Sequence, residues 1–429
     1  MKTVRTAVIG ATWSGWAAAL HAARKSSVTL FAADQQLFSD GLVFAADSRL
    51  QRLCAEIGVE LPDGEVFGWQ TADGFSFRLA DWPAPFNRLL GVRRAKGLSR
   101  SEQKTLLRQW TKLGKIRVPQ GGLAAWLRAE YCPPKLLRGF WQPFAALLHT
   151  PLEKVSLAAA QNLLRETVMS SREHSRVHYL PSDFGKTFAG VAQTYLENSG
   201  GIFRNETVNG RLACLPNGQV AVNGEAFDRV IVALPSEKAA ALLPEHTPET
   251  LMSSLLAMPY QAKGRIRLRY PQALRLPQNG LLFTLCGNAG KALFSDGLAV
   301  FRMWEDTPHN GRFTARVQVW LAPREAAENT EAEAAFLQQL DEAVRSLNPA
   351  LPRCMPDYTE TEWQPVLAAE TGRCVPDCAV LEQQHIYLAG AYLRAAAADR
   401  IEDGLAAGTA AAELAAADMM KKETICPEN

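Results

Sequence analysis

Three stretches of this chain, far apart in the sequence, predict an α/β fold built on a parallel sheet. The first, Val4 to Phe31, reads as strand, tight turn, helix, strand. Val4 to Ile9 is short, apolar and β-branched, and Gly10 to Gly15 is small-residue punctuation; Trp16 to Lys25 is Ala-rich and helix-forming, and Val28 to Phe31 is apolar again. The second and third, Phe227-Asp-Arg-Val-Ile-Val-Ala-Leu-Pro235 and His385-Ile-Tyr-Leu-Ala-Gly-Ala391, are apolar runs of the kind that strands covered on both faces display. If the first stretch is a βαβ unit, the other two are returning strands of its sheet.

That unit is Rossmann-like. A dinucleotide site needs a glycine for the sharp turn, a second where backbone approaches the pyrophosphate and a third where helix packs on strand. The helix N-terminus then offers N–H groups to the anion. Gly10 and Gly15 fill the first and third roles, with Ala11 and Ser14 between them, but Thr12 stands at the second, where its Cβ crowds the phosphate approach. The second strand of such units usually ends in an acid for the ribose; here Phe31 is followed by Ala32 and Ala33, and Asp34 is the nearest carboxylate. A βαβ unit that binds no nucleotide is the other reading of this pattern.

Composition bounds the rest. The 429 residues suggest two to three domains, and 47% hydrophobic with 21% charged residues is ordinary for a globular chain with a large core. A net charge of +2 provides no global field toward nucleic acid. The N-terminus lacks a signal-peptide pattern and no run of 18 apolar residues occurs, so a cytoplasmic chain that does not span a membrane is expected. Eight scattered cysteines fit a reducing compartment, and Cys374-Val-Pro-Asp-Cys378, with no second pair nearby, reads as two thiols and not as a metal site.

Leu42 to Val59 suits a helix ending at Gly58, and Val66 to Leu79 reads as short strands. Between Asp81 and Arg117, ten basic residues face two acids, interleaved with Trp82, Phe86, Leu89, Leu106, Trp110 and Leu113. Such a segment lies on an anionic membrane surface or forms a solvated helix pair over a core; a nucleic-acid role lacks a binding motif. Residues 120 to 200 read as helices over Leu123 to Tyr131, Leu136 to Leu148, Ser156 to Met169 with Ser156 as cap, and Asp183 to Glu197. His149 is the single titratable group in the apolar run Trp141 to Pro151, and a hydrogen-bonded core role is the commoner fate of such a histidine. Strands follow at Ile202 to Val208 and in hairpins turning at Asn217-Gly218 and Asn223-Gly224; a second strand-rich block covers Gly264 to Leu321, before a helix from Glu331 to Ser346. An Ala-rich helix from about Glu402 to Met420 closes the chain.

In this order the elements resemble the flavin-containing amine oxidase and phytoene desaturase superfamily. Within it the chain is most similar to the squalene-associated desaturases, the hydroxysqualene dehydroxylases. The stretches that carry the likeness are Pro83-Ala-Pro-Phe-Asn-Arg-Leu-Leu-Gly-Val-Arg-Arg-Ala-Lys-Gly-Leu98, Trp141-Gln-Pro-Phe-Ala-Ala-Leu-Leu-His-Thr-Pro151 with Ser156, and Leu180-Pro181 before Gly200-Gly201. The resemblance implies a discontinuous amine-oxidase-type FAD-binding domain (1–60, 200–240 and 365–429). Its inserted α+β substrate part comprises a mainly helical, membrane-facing section (61–199) and a strand-rich section (241–364). It also implies cofactor contacts at Gly10, Ala11, Thr12, Ser14, Gly15, Val208, Gly390, Ala391, Asp403, Gly404 and Leu405, with Asp34 and Asp403 in line to replace lost acids.

The sequence departs from that family where FAD is held: Thr12 for glycine, Ala32 for the ribose acid, Ala391 for the aspartate of Ala-Gly-Asp, and no Gly-Gly-Arg between Gln35 and Gly41. Two functions are therefore carried forward. One is an FAD-dependent oxidoreductase moving hydride between flavin N5 and a long apolar isoprenoid-like substrate. The other is a degenerate member with weak or no FAD binding that serves as a lipid- or partner-binding module. No carboxylate pair, activated nucleophile or metal cluster stands out, so no catalytic residue is assigned.

Overall fold

The structure is a computed structural model that describes residues 4–33, 37, 42–44, 48–71, 74–181, 183–273, 282–286, 298–305, 313–322, 324–348, 350–351, 357–398 and 400–425. Strand β1 (Arg5–Ile9), helix α1 (Trp13–Ala22) and strand β2 (Ser27–Phe31) come first, then α2 (Arg49–Ile57), β3 (Gly68–Thr71) and β4 (Ser76–Arg78). The helices α3 (Phe86–Arg94), α4 (Arg100–Lys115), α5 (Leu157–Glu166) and α6 (Phe184–Asn198) follow. The strands β5 (Ile202–Arg204), β6 (Arg229–Val232), β7 (Tyr260–Tyr270), β8 (Leu282–Cys286), β9 (Leu298–Glu305), β10 (Phe313–Ala322), β11 (Asp357–Leu367) and β12 (Ile386–Leu388) precede the long helix α7 (Ile401–Ile425).

The three organising strands lie in one parallel sheet, in the order β12-β6-β1-β2-β5. Ile9 of β1 pairs with Val232 of β6 on one side and Phe31 of β2 on the other, and Val232 pairs in turn with Leu388 of β12. Chain order reverses at β1, so the carboxyl ends of β1 and β6 flank a topological switch point, the place where open parallel sheets bind ligands. The sheet is covered by α1 and α7, both rich in small residues: Ala17, Ala18 and Ala19 of α1 and Ala411, Ala412 and Ala415 of α7 are buried in one apolar cluster. Small side chains let the two helix axes approach closely. A Cβ at Gly408 would fall on the Ser14 carbonyl, and one at Gly404 would lie 3.4 Å from Cβ of Trp13.

A second, seven-stranded sheet runs β11-β7-β10-β9-β8-β3-β4 and is mostly antiparallel. Between it and the helices lies an aromatic core of Phe67, Trp69, Phe77, Trp110, Phe140, Trp141 and Phe144, all fully buried and joined ring to ring. The chain that forms this core includes a π-turn, Leu137–Trp141, inside the helix expected over Leu136 to Leu148. Pro143 has no N–H to extend an α-helical ladder, the register widens so that Gln142 N–H reaches Leu137 O, and Trp69 Nε1–H bonds Gly139 O at 2.8 Å.

Several local expectations are corrected. Leu42 to Val59 is not one helix: Leu42–Phe44 is a strand, and the helix starts only after Ser48, whose hydroxyl accepts Gln51 N–H. It does end at Gly58, in the left-handed region with φ 80°. Ser156 precedes α5 without a side-chain cap bond, the strand from Ile202 stops at Arg204, and β11 was not foreseen. The apolar side chains of Asp81 to Arg117 do not share one surface face. Leu106, Trp110 and Leu113 belong to the buried core, because their i, i+4, i+7 spacing puts them on one face of α4, which begins at the capping box of Ser99 and Glu102.

Candidate cofactor site at the edge of the parallel sheet

The turn after β1 is made by Gly10, with φ 102°, whose N–H donates to Phe31 O at 2.8 Å while Ala233 N–H donates to Ile9 O at 2.8 Å. A Cβ on Gly10 would strike Ala233 O, and one on Gly15 would fall on Gly10 O, so both positions are held to glycine by close approach. Thr12 is the N-cap of α1. Its hydroxyl accepts Gly15 N–H at 3.2 Å, lies 2.9 Å from the Ser14 hydroxyl, and donates to Ala233 O at 2.9 Å. The side chain at the usual glycine position therefore folds back across the switch point and ties the end of β1 to the end of β6. Ala11 and Ser14 are buried beside it.

Where a ribose acid would end β2, Ala32 is buried and its N–H donates to Arg204 O at 3.0 Å. With its side-chain amide oriented by the hydrogen-bond network, Asn205 donates to the carbonyls of Ala32 and Ala33 at 3.0 and 3.2 Å. Asp34 lies outside the described residues. Val208 is buried in an irregular segment beyond β5, in the cluster that holds Phe31 and Leu212. Gly390 and Ala391 follow β12 and lead into a short turn, Ala391–Leu393.

Helix α7 runs parallel to α1, Gly404 lying beside Trp13 and Ser14 while Ala412 and Ala415 reach the far end of α1 near His21 and Ala22. Both positive helix ends thus face the carboxyl edge of the sheet, where an anion is favoured. Part of that field is met internally. The Glu402 carboxylate accepts from the Ser48 hydroxyl at 2.6 Å and from the N–H groups of Arg49 and Leu50 at 2.8 and 3.2 Å, so it caps α2. Buried Asp403 accepts from Arg400 at 2.8 Å, Arg394 at 3.2 Å and Ala398 N–H at 3.4 Å, and Arg400 reaches Glu166 at 2.7 Å. Burial works against the Arg400 charge, but Asp403 and Glu166 outweigh it and push its pKa up. Asp403 is therefore engaged by arginines, and Leu405 is buried core.

Sequence reasoning missed a polar group on the same edge. Tyr260 donates to the Ser236 hydroxyl at 3.0 Å and accepts Ser236 N–H at 2.9 Å, just past β6. Fully buried Tyr392 just past β12 has a hydroxyl with no partner among the described residues, and burial holds its pKa well above the usual phenol range. Arg373 bonds Ala368 O at 2.9 Å and Arg394 O, while its buried Nε has no partner among the described residues; desolvation lowers its pKa. Nothing in periodicity marks these residues, although Tyr392 stands two positions after Gly390 of the expected strand-end motif. A buried donor without a partner costs about 1–3 kcal/mol, so orphaned polar atoms at a ligand edge suit a polar ligand. Together with two convergent helix N-termini and the Gly10 turn, the edge fits FAD through its backbone, while Thr12, Ala32 and Ala391 contribute fewer side-chain contacts.

Solved structures share this architecture. Cyclohexylamine oxidase from Brevibacterium oxydans IH-35A superposes with a TM-score of 0.63 at 15% identity over 97% of this chain and 100% of that one. An oxidoreductase from Methanosarcina mazei gives 0.64 at 14% identity over 96% and 100%, and a redesigned putrescine oxidase gives 0.59 at 14% over 97% and 100%. At those identities the likeness shows the fold. No curated protein matches the chain. The family described as flavin containing amine oxidoreductase matches residues 41–416, which begins after the glycine turn and spans most of the sequence. The chain belongs to the flavin-containing amine oxidoreductase family, whose cofactor is FAD.

Proposed function

We propose that this protein is an FAD-dependent oxidoreductase acting on a long apolar substrate of the isoprenoid, squalene-like class. The observation that carries the substrate class is the meeting of two sequence stretches in one core. Val92 from 83–98 and Trp141, Phe144 and Leu148 from 141–151 line the same aromatic cluster against the second sheet. His149 sits at its margin, buried, with Nδ1 2.7 Å from Trp320 O, and buried Gln109 accepts Trp141 Nε1–H at 3.0 Å inside it. A cavity opening in an interior so largely apolar would suit a hydrocarbon and offer little to a small cationic amine.

FAD supplies hydride transfer at N5 when bound. The chain's part is binding and orientation: the amides of the first α1 turn and Ser14 would hold the pyrophosphate, and Val208 would meet the adenine. Gly390, Ala391, Tyr392 and Arg373 would stand at the ribityl and flavin end. With this reading goes a division into an FAD-binding part (1–60, 200–240 and 365–429), a helical part (61–199) and a strand-rich part (241–364). It also places the protein in the cytoplasm at the inner face of the membrane; no described helix is long and apolar enough to cross a membrane. A second reading, a member that keeps the fold as a lipid- or partner-binding module, draws support from the Thr12–Ala233 bond across the switch point and from the commitment of Asp403 to two arginines.

The test is anaerobic spectroscopy of the protein reconstituted with FAD. Reoxidation of the pre-reduced flavin on adding hydroxysqualene, with no bleaching of the oxidised flavin on adding cyclohexylamine or putrescine, supports the proposal. Bleaching by the amines alone overturns the substrate class, and failure to take up FAD at any concentration leaves the binding-module reading in its place.

A further inference from the structure

The helical pair α3–α4 carries apolar surface that its own fold leaves uncovered. Trp82 is 54% exposed, Phe86 56% and Leu89 42%, and Pro83, Ala84 and Pro85 between them are exposed as well, so the chain presents an unbroken apolar run from 82 to 86. These residues do not belong to a frayed loop. Asn87, fully buried, donates through Nδ2 to Ser170 O at 3.4 Å and accepts Arg88 N–H at 2.8 Å, and its carbonyl accepts Ala80 N–H at 2.9 Å. Asp81, just before the run, takes a two-pronged bond from Arg172 at 2.8 Å and a third from Arg176 at 3.2 Å.

The same 165–172 segment also holds the far end of α4: Arg165 donates to Gly114 O at 2.8 Å, and Met169 packs where a Gly114 side chain would lie. The start of α3 and the end of α4 are therefore neighbours, as in an antiparallel hairpin. This brings exposed Lys115, Arg117 and 70%-exposed Val118 to the apolar run, together with exposed Arg165 and Arg172. Two acids stand among them: Asp81, consumed by its arginines, and exposed Glu173.

We propose that this tip is a membrane-docking element that inserts Trp82, Pro83, Pro85, Phe86 and Leu89 into the interfacial layer of an anionic bilayer, with Lys115, Arg117 and Arg165 against the lipid headgroups. A lipid surface is favoured over a protein for two reasons. The apolar side chains come from consecutive exposed residues that project from the fold, and a projecting aromatic run enters the acyl boundary without needing a matched pocket. The surrounding charge is positive in balance, the complement of an anionic leaflet. Soluble chains seldom leave such a run uncovered. The docking is independent of FAD and of the substrate class, so its failure and the failure of the proposed chemistry are separately visible.

The experiment is flotation of the full chain with vesicles of phosphatidylcholine, with and without phosphatidylserine, at low and high salt. Wild type is expected to float with the phosphatidylserine vesicles and to be released by salt. Trp82→Ser with Phe86→Ser should lower the bound fraction about tenfold, since both lose interfacial burial. Lys115→Glu with Arg117→Glu should abolish the preference for phosphatidylserine. Unchanged circular dichroism melts would show that the variants fold; Leu89→Ser, a single exposed change, stands in if the double variant does not. Equal recovery of wild type in the unbound fraction, or of variants and wild type with the vesicles, overturns the proposal. So does an oligomer in size exclusion that the serine variant dissolves while wild type ignores lipid, which assigns the tip to a second copy of the chain.

Discussion

Thr12 serves two ends that oppose each other. As N-cap of α1 and donor to Ala233 O it stabilises the turn, yet its side chain stands where a glycine lets a pyrophosphate approach the backbone. The cap is nearly dispensable, since replacing a capping Thr by Gly costs only a few tenths of a kcal/mol. The ligand contacts are larger: a hydrogen bond to a buried or charged ligand group contributes about 1–3 kcal/mol, or roughly ten- to a hundredfold in affinity. Thr12→Gly combined with Ala32→Glu, which replaces the missing ribose acid at the end of β2, is thus expected to tighten FAD binding by at least about tenfold while lowering the melting temperature of the flavin-free protein, since a carboxylate enters a buried position and the bond to Ala233 O is lost. Titration by flavin fluorescence quenching measures it. Stoichiometric flavin retained by wild type through dialysis would show that the altered positions do not weaken binding. Residues of this kind were legible in the sequence because each departs from a motif with a fixed spacing. Arg373, Tyr392 and the arginine clasp on Asp403 were not, because no motif of fixed spacing marks them, even though the clasp closes within nine residues of chain.

Among elements, the legible ones were those with a local cause. The βαβ start was found because turn glycines, an Ala-rich helix and β-branched strands coincide within thirty residues; the helix begins three residues earlier than its composition suggests because Thr12 caps it. The hairpin at Asn223-Gly224 was read from its dipeptide, and both residues do have positive φ, 48° and 81°. The seven-stranded sheet was only half visible: β3 and β4 join it from nearly two hundred residues upstream, where β3 pairs in parallel with β8, and no local pattern encodes that pairing. The α1–α7 contact is likewise non-local, yet it turns on single glycines. Gly408→Ala would place a methyl on the Ser14 carbonyl and push two close-packed helices apart. Overpacking of this kind costs about 1–3 kcal/mol, whereas the same change in an isolated helix would stabilise it by about 1 kcal/mol. A denaturant midpoint shifted downward at unchanged slope is the expected result; a shift upward would mean that α7 does not lie on α1 as described.

In the whole molecule, the cofactor edge gathers parts of the chain that otherwise belong to separate neighbourhoods. The Gly10–Gly15 turn, the segment from Arg204 to Val208, Ala233 and the stretch from Gly390 to Leu405 meet there. By contrast, β7, β10 and the helix Thr330–Leu347 share a different core with Ile266, Val317 and Phe336. A ligand that binds only the folded state stabilises it by mass action, about 2.7 kcal/mol at a hundred times its dissociation constant, and it protects first those segments whose local opening would release it. FAD should therefore slow amide hydrogen exchange in 10–15, 204–208 and 390–405 together, while exchange in β7, β10 and residues 330–347 changes little. The three segments must respond as one, because they are joined in the sheet through the pairing of β5 with β2, β2 with β1, β1 with β6 and β6 with β12. Protection of one segment alone would confine the flavin to that segment, and uniform protection of both cores would mean that binding acts through global stability and not at the switch-point edge.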